Sequence, residues 1–481
     1  MAIKIIDKKE AAGLTSGISE LFVRIPNPSY VYPPFEVCPI AAPLTGFDKP
    51  PVAAVMDMDG TTTTTETLCL HSLVHAVRKA MGPGGTDWPG LDPQRDYPNV
   101  IGNSTTKHVE YLVDAYGARF HAPALAEAFL NAAEWTLRHS RDEQRRRQVQ
   151  INLRQLEAES FGADDNTLSA NSNNPDNDAS HPGSPGGGIS LAGTQMESLV
   201  RKLERRDFQI QACIDIYYQR YHEILAAIEA GDRDFLSNIP GVDADRPLIE
   251  PMPGVAVTLA LLSGDLGEEA GVLAGLLSTP DAGESMPAGR DEATPGDAAG
   301  DAAQEQSIPD PQETLARLGR FFRNHPVRLA LVTSSIRYEA EVVMSEVFHI
   351  LRQETASWPV SEEVRQRLKH RFSSPDACYD AFVTATDSSE IRLKPFRDLY
   401  SIALQQAGVA PEDFDAVIGF EDSQSGTVAI RAAGIGRCVA VPFHETGGHD
   451  FNAASVVAYG GLPEVLLHHR FFLDKFLEEP A

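Results

Sequence analysis

The sequence predicts an α/β protein: a doubly wound parallel sheet core carrying an inserted helical cap domain and low-complexity insertions. Three observations predict it. Short β-branched or apolar runs recur along the chain, and helical patterns separate several of them. A long stretch between 105 and 231 carries helical spacing and no strand pattern. Strands alternating with helices imply a parallel sheet covered on both faces. Its right-handed crossovers leave ligands beyond the carboxyl ends of the strands.

Residues 1–50 form a Pro-rich lead-in (NPSYVYPPFEVCPIAAP) with little periodicity, read as an N-terminal extension without chemistry. The core is assigned to 51–64 and 250–481, the cap to 65–249. The expected strands are VAAVM (52–56), VRLALVT (327–333), AFVTAT (381–386), AVIGFE (416–421) and CVAVP (438–442). Between them, FRDLYSIALQQAG (396–408) and GTVAIRAAG (426–434) have helical spacing. In the cap, helical spacing runs through TKHVEYLVDAYG, then ALAEAFL through LRQLEAE, then MESLVRK through AAIEAG. Two stretches, rich in Asn, Ser, Pro and Gly (163–188) or small and acidic (267–306), cannot bury enough apolar area to offset the entropy of ordering. They mark mobile insertions at about 162–195 in the cap and about 264–312 in the core.

The 481 residues suffice for two or three domains. A formal charge of −27 argues against a nucleic-acid backbone as partner, because phosphate would be repelled. Much of that charge is local: residues 264–312 hold eleven acidic side chains against one arginine, −10 of the −27. Cys38, Cys69, Cys213, Cys378 and Cys438 are scattered, which fits a reducing cytoplasm. No run approaches the roughly 18–20 apolar residues of a spanning helix, and MAIKIIDKKEAAGLT lacks a secretion-signal core. The expectation is a soluble, cytoplasmic protein with no nucleic-acid or membrane partner.

The polar residues at the strand ends make a constellation. Asp57 and Asp59 follow the first strand, Thr333, Ser334 and Ser335 follow LALV, Lys394 lies in RLKPFRDLY, and Glu421 and Asp422 follow AVIGF. Four separate segments thus deliver carboxylates, hydroxyls and one ammonium to one sheet edge. Phosphoryl transfer uses such a set. A carboxylate that attacks phosphorus forms an acyl phosphate and splits one hard step into two. A second acid two residues on protonates the leaving oxygen and later activates water. Clustered carboxylates would repel a phosphate dianion, so a hard cation such as Mg2+ is needed, with oxygen ligands from Asp57, Asp422 and a backbone carbonyl. Thr333 and the amides after it hold phosphate oxygens while Lys394 neutralises the remaining charge.

With DMDGT (57–61), the hydroxyl at a strand tip, the Lys-Pro of RLKPF and FEDSQSGTVAIRAAGI, the sequence resembles the haloacid dehalogenase superfamily. It is most similar to the branch with a helical cap inserted after the first motif, which includes phosphoglycolate phosphatase and β-phosphoglucomutase. The resemblance covers roughly 52–160, 197–262 and 313–470, and IEPMPGV (249–255) matches the return from cap to core. It implies a Rossmann-like core with Asp57 as nucleophile and Asp59 as general acid/base. It implies phosphate binding by Thr333, Ser334 and Lys394, and Mg2+ held by Asp57, Asp59 through its carbonyl, Asp422 and Glu421. The implied function is a Mg-dependent phosphatase that hydrolyses a small phosphorylated metabolite through an aspartyl phosphate. Alternatives are a β-phosphoglucomutase-like mutase and a non-catalytic phospholigand scaffold. Mutases of the branch keep a histidine and an arginine where this chain has Cys69 and Thr105, and Asp59 argues against a dehalogenase or phosphonate hydrolase. Thr64 stands where a further aspartate is common, whereas Glu66 matches an acidic position.

Each residue also has a plainer reading. A strand-end aspartate often only caps a helix, and Lys394 alone would be an exposed lysine. Ser335 and Arg337 read as openers of the next helix. Glu421 is either a ligand or a group that orients one. The run TTTTT (61–65) reads as a hairpin and hinge. The basic run RDEQRRRQVQINLR (141–154) reads as a solvated face paired with acids and facing RKLERR (201–206). His444 and His449 lack ligand company, and the IYY and FF pairs look like core.

Overall fold

The computed structural model describes residues 4–27, 31–101, 104–155, 193–239, 247–277, 310–443, 446 and 448–477. Within them β1 (Leu21–Pro26) and β2 (Phe35–Ile40) pair as an antiparallel ribbon. β3 (Ala53–Asp57), β4 (Arg328–Val332), β5 (Ala381–Val383), β6 (Val417–Glu421), β7 (Arg437–Ala440) and β8 (Val456–Val457) form one sheet. Its order is β5-β4-β3-β6-β7-β8 and every pairing is parallel. This is the Rossmann-like α/β core with a helical cap that the strand pattern predicts. All five residues of β3 are buried because helices cover both faces. Ala53 and Val55 pack with Leu399, Ala403 and Ile430, while Ala54 and Met56 face Leu259, Phe348 and Phe420. Alternation along a strand sends neighbouring side chains to opposite layers.

The strand order places the site. The chain winds outward from β3 through β4 to β5, then returns to the other flank of β3 as β6. The reversal leaves a crevice beyond the carboxyl ends of β3, β4 and β6, where α/β sheets bind ligands.

The cap is built from the helices Glu66–Met81, Thr105–Tyr116, Ala122–His139, Glu143–Gln155, Gly193–Lys202 and Arg206–Ala230. The helical run expected through 124–159 breaks at Ser140, whose backbone is extended and whose hydroxyl accepts from Asp142 N at 3.2 Å. Asp142 then accepts from Gln144 N at 2.9 Å and restarts the helix. Lys202 reaches the Gln155 carbonyl at 3.2 Å, so the two basic segments do face each other. Among the described residues no helix is long and apolar enough to cross a membrane.

Two expectations are corrected. The acidic insertion expected over 264–312 does not start as loose chain: Gly267–Leu277 is a 3-10 helix with Ala270, Leu273 and Leu277 buried beside the helix Pro311–Asn324. Its apolar spacing (Ala270, Leu273, Ala274, Leu277) outweighs its small-residue composition. Residues 278–309, and 156–192 of the cap insertion, lie outside the described residues, while Gly193–Lys202 already belongs to a helix. The Pro-rich lead-in is an ordered ribbon tied to the core. Arg431 donates to the Ala41 carbonyl at 2.8 Å, and Glu36 pairs with Arg392 at 2.9 Å.

Asp96 anchors one end of the cap. Its buried carboxylate accepts from Tyr111 at 2.7 Å, Tyr116 at 2.6 Å, Arg95 at 2.9 Å and the Asp92 amide at 2.7 Å. Burial alone would raise its pKa, but the bonds from Arg95, Tyr116, Asp92 and Tyr111 outweigh it and bring the group down to about 2. A carboxylate depressed on folding stabilises above its unfolded value of 3.8 and loses that contribution as pH falls toward about 2. Asp96→Asn should therefore cost about 1.5–3 kcal/mol in urea unfolding at neutral pH. The gap should close as the pH is lowered through that window; equal stability at neutral pH would contradict the assignment.

Candidate functional site

At the end of β3 the chain turns sharply, with Gly60 N donating to Thr63 O at 2.8 Å. Gly60 makes this possible, with φ at +82°. A Cβ there would lie 2.5 Å from Asp422 Oδ2 and 2.6 Å from the Phe443 ring, so the position requires glycine twice over. The threonine run completes the turn. Thr62 and Thr63 amides donate to the Met58 carbonyl at 2.9 Å, and Thr62 Oγ1 donates to the Asp57 carbonyl at 2.6 Å. Thr64 N donates to Glu250 O, and Met252 N to Thr62 O, both at 2.9 Å. The two connections between cap and core are thus stitched side by side.

Beyond this turn the predicted residues converge. Lys394 is buried between Asp57 and Glu421, hydrogen-bonded to Asp57 and 2.6 Å from Glu421. Asp57, Glu421 and Asp422 each bring a carboxylate oxygen within 4.8 Å of the others. Asp59 accepts from Thr333 at 2.7 Å, from Ser335 at 3.3 Å and from Thr65. Three buried carboxylates around one ammonium leave uncompensated negative charge. Burial and the neighbouring Glu421 push the Asp57 and Asp422 carboxyls well above the usual range, although Lys394 pulls both down. Burial would lower the Lys394 pKa, but Asp57 and Glu421 outweigh it and raise it.

The two acids of β6 differ. Glu421 Oε2 accepts from Ser423 N at 2.9 Å and Ser423 Oγ at 2.8 Å, and its Oε1 takes Lys394 and Tyr400. A Cβ on Gly426 would lie 1.6 Å from Oε1, so that glycine makes room for it. Asp422 Oδ1 is 3.4 Å from the Thr61 hydroxyl, and its buried Oδ2 has no hydrogen-bond partner among the described residues. An orphaned buried carboxylate oxygen beside Asp57 suits a hard divalent cation with oxygen ligands. The donor set therefore fits magnesium.

Some expectations change. Ser335 does not cap the helix Arg337–Ala356: the capping position is Ile336, and Ser335 Oγ turns to Asp59 instead. Arg337 ties to Asp387 at 3.1 Å and the Phe382 carbonyl at 2.6 Å. Ser334 lines the cavity above the site, as do Cys69 and Thr105. In the basic run Arg141 pairs with Glu229 at 2.8 Å and Arg147 with Glu143 at 3.5 Å on the exposed face. Arg145 departs from the solvated-face reading: it is buried, and its partner is Asp215. His449 Nδ1 is 3.4 Å from the Gln424 amide, and His444 lies outside the described residues.

The sequence reading missed the roof. A cavity of about 1120 Å3 separates the sheet edge from the cap. Tyr217, Tyr218 and Tyr221 line it; Tyr217 and Tyr221 are buried in the core and Tyr218 packs against it, in line with the core reading of the IYY pair. Their hydroxyls are the signal a phenylalanine would lack. Also missed was His222, whose Nε2 lies 2.9 Å from Glu339 and joins the cap helix Arg206–Ala230 to the core.

No family model matches the chain. Over 123 residues it is 34% identical to protein CbbY of Rhodobacter capsulatus, a stretch covering 24% of this chain and 52% of that protein. The chain thus matches about half the length of that curated relative. Among solved structures, CbbY from Rhodobacter sphaeroides with phosphate is 13% identical, with 86% of this chain and 96% of that one covered at a TM-score of 0.37. A HAD family hydrolase from Deinococcus radiodurans R1 with bound phosphate and sodium is also 13% identical, with 89% and 99% covered at 0.34.

Lys394→Met leaves the buried carboxylates without their cation. It should destabilise the protein by about 3–5 kcal/mol in denaturant unfolding with chelator present. Adding Glu421→Gln should recover part of the loss; a cost no larger than that of an exposed lysine would refute the buried-charge account.

Proposed function

We propose that this chain is a magnesium-dependent phosphatase of the haloacid dehalogenase type, acting on the phosphomonoester of a small metabolite. One observation carries the reading: Asp57, Lys394 and Asp422, delivered by distant segments, meet in one buried cluster, with Asp59 held beside it by Thr333 and Ser335. An anion held at that point faces a nucleophile, a general acid and a fixed ammonium together.

In this reading an Asp57 carboxylate oxygen attacks phosphorus while the bond to the leaving oxygen breaks. Asp59, protonated, hands its proton to that oxygen, and the alcohol departs. Asp59, now a base, takes a proton from water, which attacks the acyl phosphate and releases phosphate with Asp57 restored. Lys394 balances the phosphoryl charge, and Thr333 and Ser334 receive its oxygens. Asp57, Asp422, the Asp59 carbonyl and, where its donors permit, Glu421 would hold magnesium, which when bound supplies the positive charge this cluster lacks. Cys69 and Thr105, at positions where mutases keep histidine and arginine, weigh against a mutase. The intact pair of acids weighs against a non-catalytic scaffold.

Wild-type protein should release inorganic phosphate from p-nitrophenyl phosphate with magnesium and stop when a chelator is added. Asp57→Asn should fall to background, and Asp59→Asn should lose about 10² to 10⁴-fold in kcat. Wild-type protein as inert as Asp57→Asn would favour the scaffold.

A further inference from the structure

The cavity wall opposite Asp57 belongs to the lengthened part of the cap. There the helices Glu143–Gln155 and Arg206–Ala230 set side-chain amides into one array. Gln148 donates to Asn152 at 2.9 Å, Gln211 donates to Asn152 at 2.6 Å and to Gln155 at 2.8 Å, and Asn152 donates to Asp215 at 2.8 Å. Behind the array Asp215 is fully buried and ion-paired with Arg145, whose guanidinium lies 4.4 Å over the Tyr218 ring. Nearer the aspartates Tyr221 lines the same cavity, and its hydroxyl is buried with no hydrogen-bond partner among the described residues.

The charges are equally specific. Among the described residues, the Lys and Arg lining the cavity are Lys394 and Arg145, and each is committed to buried carboxylates. Seven acidic residues line the same space, including Glu66, Asp142, Asp207 and Glu339 outside the cluster at the sheet edge. A second phosphate or a carboxylate on the substrate would therefore be desolvated against acids without a counter-charge. Amides and phenol groups, which donate and accept, suit hydroxyls. At about 1120 Å3 the cavity is larger than a two- or three-carbon ester requires.

We propose that this wall is the specificity subsite, and that it selects a phosphomonoester with an uncharged, hydroxyl-rich body of sugar size or larger. The proposal rests on the phosphatase reading above. Asp215 is a positioning residue that keeps the Arg145 charge from recruiting a second anion.

The test uses the full chain with magnesium and compares kcat/KM for fructose 6-phosphate, fructose 1,6-bisphosphate and phenyl phosphate. The hexose monophosphate should exceed both others by about tenfold or more, since a site built to bond hydroxyls rejects analogues that cannot return those bonds. Asp215→Asn unmasks the guanidinium, so the bisphosphate-to-monophosphate ratio should rise about tenfold. Asp215→Asn combined with Arg145→Gln removes both charges and should bring the ratio back toward wild type; if the single variant does not fold, the wild type and this double variant decide. A wild-type preference for the bisphosphate, or a folded Asp215→Asn with an unmoved ratio, overturns the subsite alone. Failure to turn over any ester, p-nitrophenyl phosphate included, overturns the phosphatase reading and the subsite with it.

Discussion

The structure depends on one electrostatic constraint: carboxylates gathered at the end of the central strand are buried with too little positive charge. Asp57, Glu421 and Asp422 sit around Lys394, and the mismatch would be unfavourable in a fold selected for stability alone. Two carboxyls are driven above their ordinary range, and one carboxylate oxygen lacks a donor among the described residues, an arrangement that an added cation would balance. The sheet supplies the rigidity that holds this arrangement, since β3 is paired on both sides and buried throughout.

Around that cluster, small residues do geometric work that larger ones could not. Gly60 combines a positive φ with close approach to Asp422, and Gly426 clears space for Glu421 at the start of the helix after β6. The threonines hold their own turn through hydroxyl bonds to main-chain carbonyls while letting the chain leave for the cap and return beside itself. Cap and core therefore meet at the edge where the acids are. The His222–Glu339 contact adds a second link between them.

Much of this was legible because it is local. A five-residue apolar run ending in Asp-Met-Asp-Gly announces a strand, a turn and two acids without any distant information. The same holds for Glu421 and Asp422 after their strand. Lys394 was legible only through its order among the motifs. What escaped is what depends on separation: Arg145 meets Asp215 across the cap, and His222 of the cap meets Glu339 of the core, neither of which periodicity encodes. Ser335 was misread because a serine before a helix caps it far more often than it reaches back to another strand's aspartate. The N-terminal ribbon was hidden by prolines, and β8, two residues long, carries too little pattern to register. Gly267–Leu277 was masked by the acidic, small-residue composition that continues beyond it.

The central claim is that Asp57 carries phosphorus covalently during turnover. Rapid acid quench of the magnesium-loaded protein with a slowly hydrolysed phosphomonoester, followed by intact and peptide mass analysis, tests it directly. The account predicts a base-labile mass increase of one phosphoryl group on the peptide spanning residues 53–66, at the Asp57 side chain. Turnover with no such adduct, or with the adduct on another residue, would contradict it.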